Sequence, residues 1–334
     1  MGTAYITQED AFIGKTDERL TVKADKKKLL DIPLLKLEGI VILGRATVSP
    51  MVVNELLQRH IPLTFLTGTG RYLGRLEPEF TKNIFVRKAQ WSAAGNTPQA
   101  IHLVQSFVRG KLKNYRHVLQ RKVRDSSQLN LDQEIIRLEN AIDAIYNTEK
   151  IESLRGLEGA GSAVYFGNFN QLLTNPAFTF KTRNRRPPTD PINALLSLGY
   201  ALLRHDIQSA VNIVGFDPYL GYLHVEHYGR PALALDLMEE FRPLIVDTMV
   251  LRIINKQQLT LDDFETEPIS NAVSLTKEGL KIFLRCYEEK KQSQFKHPVL
   301  KRKCTYQEAF EIQARLMAKY LLGETDKYPP LIVK

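Results

Sequence analysis

Over residues 1 to about 45 the chain alternates apolar and polar positions in short runs, AYIT, AFIG, RLTVKAD, KLLDIPL and GIVILG, separated by charged or glycine-containing turns. Such runs predict strands at the spacing of an antiparallel sheet, and the alternation of Leu20, Val22 and Ala24 gives one of them a single buried face. Ser49 and Pro50 supply a cap and a first-turn residue for a short helix, MVVNELLQRH. A further apolar run, IPLTFLTGTGRYLGRLEP, is broken by Gly68, Gly70 and Gly74 and closes a small β-rich domain, residues 1–86. From Thr97 and Pro98 the period becomes helical and stays so to about residue 323, with punctuation at Gly156, Asp190-Pro191, Gly215 and Gly229. Residues 87–334 therefore predict a larger, mostly α-helical domain, and the fold class is α+β. The helix INALLSLGYALL, capped by Asp190 with Pro191 in its first turn, has little polar face and belongs at the centre of that domain.

The stretch YLGYLHVEHYGRPALALDLMEEFRPLIVD, residues 219–247, carries the candidate chemistry. Asp236, Glu239 and Glu240 fall at i, i+3 and i+4 on one helical face, with Asp247 three turns further along and His224 just upstream. An acidic face is usually only solvated, but Leu233, Leu235, Leu237, Met238 and Phe241 make the rest of this helix apolar. Buried carboxylates need a cation or donors. Pro243 removes the hydrogen bond to the Glu239 carbonyl, so the helix is expected to kink or loosen there. Upstream, Glu158 sits among Gly156, Gly159 and Gly161, which suggests close approach of something to this backbone, a packed helix or a phosphate. Two or three carboxylates with one imidazole make a hard, oxygen-rich donor set that suits Mg²⁺ or Mn²⁺ better than a closed zinc site.

Charge narrows the class of partner. The net charge is +9, and the run RGKLKNYRHVLQRKVR from Arg109 to Arg124 contains no acid. With Ile101, Val104, Val108, Tyr115, Val118, Leu119 and Val123 as its apolar stripe, this reads as a basic helix, and Lys181, Arg183, Arg185 and Arg186 form a second cluster. Together they point to a phosphate-tracking surface rather than base readout. Only Cys286 and Cys304 are present, without metal-ligand spacing, so a reducing cytoplasm is the expected compartment. Neither a signal peptide nor an uncharged apolar run of roughly 18 residues is visible, so no membrane partner is expected.

Four blocks, LRGLEGAGSAVYF, RNRRPPTDPINALLSLGYALL, GFDPYLGYLHVEHYGRPALALDLMEEFRP and QARLMAKYLLGE, resemble in order and spacing the CRISPR-associated adaptation endonucleases, the spacer integrases. The resemblance spans nearly the whole chain, more loosely through GIVILGRATVSP and IPLTFLTGTGRYLGRL. It implies an N-terminal antiparallel β-sandwich followed by an α-helical catalytic domain. It implies metal ligation by Glu158, His224 and Glu239, with Asp236 as the other member of a DxxE pair of catalytic acids. Whether Asp236 or Glu239 touches the ion directly stays open at this point. It also implies a homodimer and a complex with a small second adaptation protein that holds double-stranded DNA, whose 3′-hydroxyl attacks a phosphodiester of the repeat array. Tyr165 is a candidate DNA contact by stacking or through its hydroxyl, with a core aromatic as the alternative. Two other readings stand beside this one: a structure-selective DNA repair nuclease using the same site, and a non-catalytic basic DNA-binding scaffold whose acidic helix is structural.

Overall fold

The computed structural model describes residues 2–68, 70, 72–77, 83–95, 97–126 and 128–333. Residues 69, 71 and 78 of the glycine-broken run, and the stretch 78–82 ahead of the expected domain boundary, lie outside them. That boundary at 86/87 falls inside a helix.

The alternating runs form strands β1 (Gly2–Ile6), β2 (Ala11–Thr16), β3 (Arg19–Ala24), β4 (Lys27–Pro33), β5 (Leu37–Leu43), β6 (Ala46–Val48), β7 (Leu63–Leu66) and β8 (Tyr72–Leu76). They build two four-stranded sheets, in the orders β1-β5-β7-β8 and β4-β3-β2-β6. Both sheets are mixed rather than antiparallel as expected: β1 with β5, β5 with β7, and β2 with β6 run parallel. A period of two is common to both directions, so periodicity alone does not separate them. Between the sheets Ala4, Ile6, Ile13, Leu20, Val22, Ile40 and Ile42 form one core, closed by Val52 and Leu56 of helix α1 (Pro50–Gln58). Ser49 caps that helix as its sequence predicts.

The other face of the first sheet is also covered. Tyr5, Val41 and Tyr72 pack on the helical core, and Leu43 and Leu66 belong to it, so this sheet is apolar on both sides as parallel strands tend to be. The helices are α2 (Ile84–Ser92), α3 (Pro98–Asp125), α4 (Asp132–Ile145), α5 (Ile151–Gly167), α6 (Pro191–Val214), α7 (Ala232–Met238), α8 (Thr248–Asn255), α9 (Lys277–Gln292) and α10 (Tyr306–Leu321). Thr97 and Asp190 cap α3 and α6 through their side chains, and α6 ends on Gly215 with φ 106°. Where continuous helical periodicity was expected, two small hairpins intervene, β9 (Phe264–Thr266) with β10 (Val273–Leu275) and β11 (Gln294–Lys296) with β12 (Lys303–Thr305). The α3–α5 contact bears on the site directly, because a Cβ on Gly161 would overlap Leu112 and glycine lets the two helices close. Gly156 and Gly159 face open space, so close approach here is helix packing at one glycine of the three. No helix among the described residues is long and apolar enough to cross a membrane.

Candidate active site

Helix α7 is short, and the chain turns after Met238 before a five-residue π-helix, Pro243–Asp247, leads into α8. Pro243 cannot donate to the Glu239 carbonyl, and the wider π ladder absorbs that loss. The consequence corrects the shared acidic face: once the α-helix stops, the four acids point to different places. Asp236 is fully buried and faces back into the loop before His224, where Oδ2 accepts the Tyr222 and Leu223 N–H groups at 2.5 and 2.9 Å. Its Oδ1 accepts the His224 N–H at 2.9 Å and stands 2.7 Å from His224 Nδ1. An oxygen ringed by donors makes Nδ1–H the donor too, which fixes the tautomer and leaves Nε2 free, facing Glu239 Oε1 at 3.7 Å. Burial pushes the His224 imidazole down, but Asp236 and Glu239 outweigh it and hold the pKa above its ordinary value.

Gly221 makes this cradle possible. A Cβ there would lie 2.7 Å from Ala232 Cβ, 2.8 Å from the Ala232 backbone and 2.8 Å from Asp236 Oδ2. Gly221→Ala is therefore expected to displace Asp236 and unfix the His224 ring, and any activity that uses this imidazole should fall about 10- to 100-fold, the range for losing a partner that orients it. Side-by-side rates and melting curves check this, since lost activity without unfolding is the predicted result.

Glu158 projects from the middle of α5, accepting the Ser162 hydroxyl at 2.8 Å and contacting the Lys111 ammonium. Lys111 reaches from α3 and also touches Glu239 Oε2 at 2.6 Å, while Arg242 Nε donates to Glu239 Oε1 at 3.0 Å. Burial alone would raise the Glu239 carboxyl, yet Arg242, Lys111 and His224 bring it down to about 2. Arg155 Nε, on α5, donates to the Leu223 carbonyl at 2.5 Å and so ties the helix of Glu158 to the loop of His224.

Lys111, Glu158, Ser162 and Glu239 lie along a cleft of roughly 750 Å³. Lys181, Arg183 and Arg185 line it together with Glu158, His224, Glu239 and Arg242. Arg185 is exposed, whereas Arg183 is partly held inward by Asn193 Oδ1 at 2.7 Å and Ser197 Oγ at 3.0 Å. Arg186 is exposed but is not part of the cleft lining. Tyr165 is a correction: it is fully buried, stacked on Tyr115 at 3.9 Å beneath the cleft, and cannot stack on a base. The basic helix of residues 109–124 turns part of its charge inward, since Lys111 is buried and Arg116 pairs with Glu139, while Arg121 and Arg124 stay exposed.

Glu240 and Asp247 serve the interior. Glu240 accepts from the Tyr328 hydroxyl, the Leu331 N–H and Gln313, anchoring residues near the C-terminus against α10. Asp247 Oδ1 accepts the Tyr200 hydroxyl at 2.5 Å. Burial lifts both carboxyls to about 7 against those donors. A carboxyl raised on folding contributes stability that is fully present below its unfolded pKa and lost as pH rises through the folded value. We expect wild type to lose stability relative to Glu240→Gln between about pH 5 and pH 7, read from urea midpoints. A difference independent of pH contradicts this assignment.

Lys111, Arg242, Arg155 and Ser162 were not anticipated as site residues. Lys111 had a readable signal: it lies three residues after Val108 and four before Tyr115, on the apolar stripe itself. Among the described residues no three His, Cys, Asp or Glu side chains already stand in coordinating geometry, and the Lys111 ammonium contacts both Glu158 and Glu239. The donor set nevertheless fits a hard divalent cation. It offers two carboxylates, an Nε2 whose ring is held by a carboxylate at Nδ1, and a buried Glu239 Oε2 without a well-directed hydrogen bond. Asp236 is spent on the loop and the imidazole, which makes it the orienting acid and Glu239 the one that faces the cleft.

Comparison with known proteins agrees with this architecture. The chain is 36% identical over 339 residues to CRISPR-associated endonuclease Cas1 1 of Chlorobaculum tepidum, covering 99% of this chain and 98% of that protein. It is 38% identical over 336 residues to CRISPR-associated endonuclease Cas1 3 of Thermus thermophilus, covering 100% and 98%. A chain of a Cas6-RT-Cas1–Cas2 complex superposes with TM-score 0.81 at 27% identity, covering 98% of this chain and 36% of that one. A casposase bound to integration product gives TM-score 0.85 at 20% identity, covering 98% of this chain and 93% of that one, a likeness of fold alone. The family model described as CRISPR associated protein Cas1 matches residues 4–289, and the chain belongs to the Cas1 family.

Proposed function

We propose that this chain is a metal-dependent DNA endonuclease and integrase of CRISPR adaptation, which inserts captured DNA into the repeat array. The observation that carries the reading is the convergence of Glu158, Glu239 and His224 Nε2 on the floor of a cleft rimmed by Lys181, Arg183 and Arg185. The endonuclease names of its relatives and its likeness to a Cas1–Cas2 assembly support it.

The chemistry is phosphodiester exchange. A 3′-hydroxyl of the captured duplex attacks a repeat-array phosphorus; the new P–O bond forms as the old one breaks, and the displaced strand leaves as a 3′-hydroxyl. Water in the same position gives cleavage. Mg²⁺ or Mn²⁺ held by Glu158, Glu239 and His224 would supply Lewis-acid stabilisation of charge on the phosphate and on the attacking and leaving oxygens. Asp236 keeps the imidazole in one tautomer, Arg242 steadies Glu239, and Arg185 with Lys181 offers cations to the flanking phosphates. A protein nucleophile is not required: Cys286 and Cys304 are buried elsewhere and the Ser162 hydroxyl is donated to Glu158. In this reading the chain works as a homodimer with the small second adaptation protein, on double-stranded DNA.

The test is joining of a labelled duplex to a repeat-containing plasmid with the partner protein present, in Mg²⁺, in Mn²⁺ and after chelation. Metal-dependent joining that disappears with a dideoxy 3′-end supports integration. Cleavage of branched DNA without the partner and without joining favours the repair nuclease, and binding without either reaction favours the scaffold.

A further inference from the structure

Lys111 has no assigned role in the exchange, yet its position is unusual. It sits on the buried stripe of α3 with only 5% of its surface exposed, and its ammonium contacts both acids that face the cleft, Glu158 and Glu239 Oε2. Its stem passes beside the Tyr115 ring, with Nζ 5.5 Å from the centroid. Arg242 reaches Glu239 from the other side, at Oε1, and no hydrogen bond joins it to Glu158. Among the described residues Lys111 is thus the cation that spans the pair.

Spanning the pair places a single positive charge where the proposed metal would place a divalent one. An ammonium and a divalent cation a few ångströms apart in a poorly solvated pocket repel strongly, so the two cannot share these oxygens. Lysine is suited to give way, being a compact charge on a flexible four-carbon stem, and the open side of its pocket is the cleft itself. We propose that Lys111 is an internal counter-ion that competes with the divalent cation for Glu158 and Glu239, and that ion binding releases its ammonium into the cleft. The inference rests on the metal reading. It gives the pair two states: closed on Lys111 with the acids neutralised, or open with the ion bound and a free ammonium facing the bound phosphates.

Two measurements test it. Calorimetric titration with Mn²⁺ compares wild type with Lys111→Met, which keeps the apolar stem and removes the charge. The variant is expected to bind Mn²⁺ at least about tenfold tighter, and to melt lower without the ion but recover with it, because the acids then lack any other shared cation. Equal or weaker binding overturns the competition while leaving the metal reading intact, whereas Mn²⁺ binding to neither protein overturns both. The second measurement uses only wild type and so survives a variant that fails to fold. Acylation of lysines by a water-soluble ester, mapped by mass spectrometry, is expected to modify Lys111 faster with Mn²⁺ than without. Unchanged or slower modification overturns the release.

Discussion

Replacing His224 by alanine is expected to lower metal-dependent DNA joining about a thousandfold while leaving DNA affinity unchanged. Charge stabilisation by a bound metal is worth several kcal/mol, and each loss of about 1.36 kcal/mol costs tenfold in rate. In the proposed function affinity comes instead from the cations that rim the cleft, Lys181, Arg183 and Arg185, rather than from the imidazole. Asp236→Asn should be milder, about 10- to 100-fold, because it disturbs the imidazole rather than removing a ligand. Single-turnover joining and fluorescence anisotropy on the same samples check both parts. A His224→Ala protein that joins DNA at the wild-type rate would remove the imidazole from the mechanism.

The second large effect is on the fold. Lys291 on α9 is completely buried and binds Asp206 Oδ2 at 3.3 Å, Glu288 Oε2 at 3.1 Å and Thr3 Oγ1 at 3.0 Å, so one ammonium joins α6, α9 and the first strand of the β sheets. Burial alone would lower its pKa, but Asp206, Tyr5 and Glu288 hold it well above the ordinary lysine value. Glu288 Oε1 also accepts the Thr3 N–H at 3.0 Å. Lys291→Met is expected to destabilise the protein by about 3–5 kcal/mol, because it strands two carboxylates in a poorly solvated junction. Adding Asp206→Asn to that variant should recover part of the loss. Urea denaturation gives both numbers, and a loss under about 1 kcal/mol would mean that the network is dispensable.

Much of this was legible from local chemistry. The helix starts at Pro50, Pro98 and Pro191 follow from a capping side chain and a following proline, signals that need no tertiary context. The loosened helix at Pro243 was legible for the same reason. Strand direction was not, because β1 and β5 become parallel neighbours only through tertiary pairing. The hairpins at 264–275 and 294–305 use three-residue strands, too short to interrupt a helical pattern visibly.

At the site, Glu158, His224 and Glu239 line one cleft, and the division of labour among the acids depends on where α7 stops. Periodicity put Asp236, Glu239 and Glu240 together; the break after Met238 sends one to the His224 loop, one to the cleft and one to the C-terminal segment. Tyr165 and Lys111 traded places for a related reason. Of the two placements open to Tyr165 the core is the one it takes, and a lysine expected at the surface occupies the carboxylate pair. Composition reports how many charges a helix carries, and only packing decides which of them face inward.

In the proposed function one hard divalent cation binds at Glu158, Glu239 and His224, with Asp236 behind the imidazole. Anomalous diffraction from crystals of this protein grown with Mn²⁺ tests it most directly. One peak is expected in the cleft, ligated by Glu158, Glu239 and His224 Nε2 and by no oxygen of Asp236, with Lys111 turned away from the pair. A peak elsewhere, an ion bound directly by Asp236, or no ordered ion at a saturating Mn²⁺ concentration would contradict it.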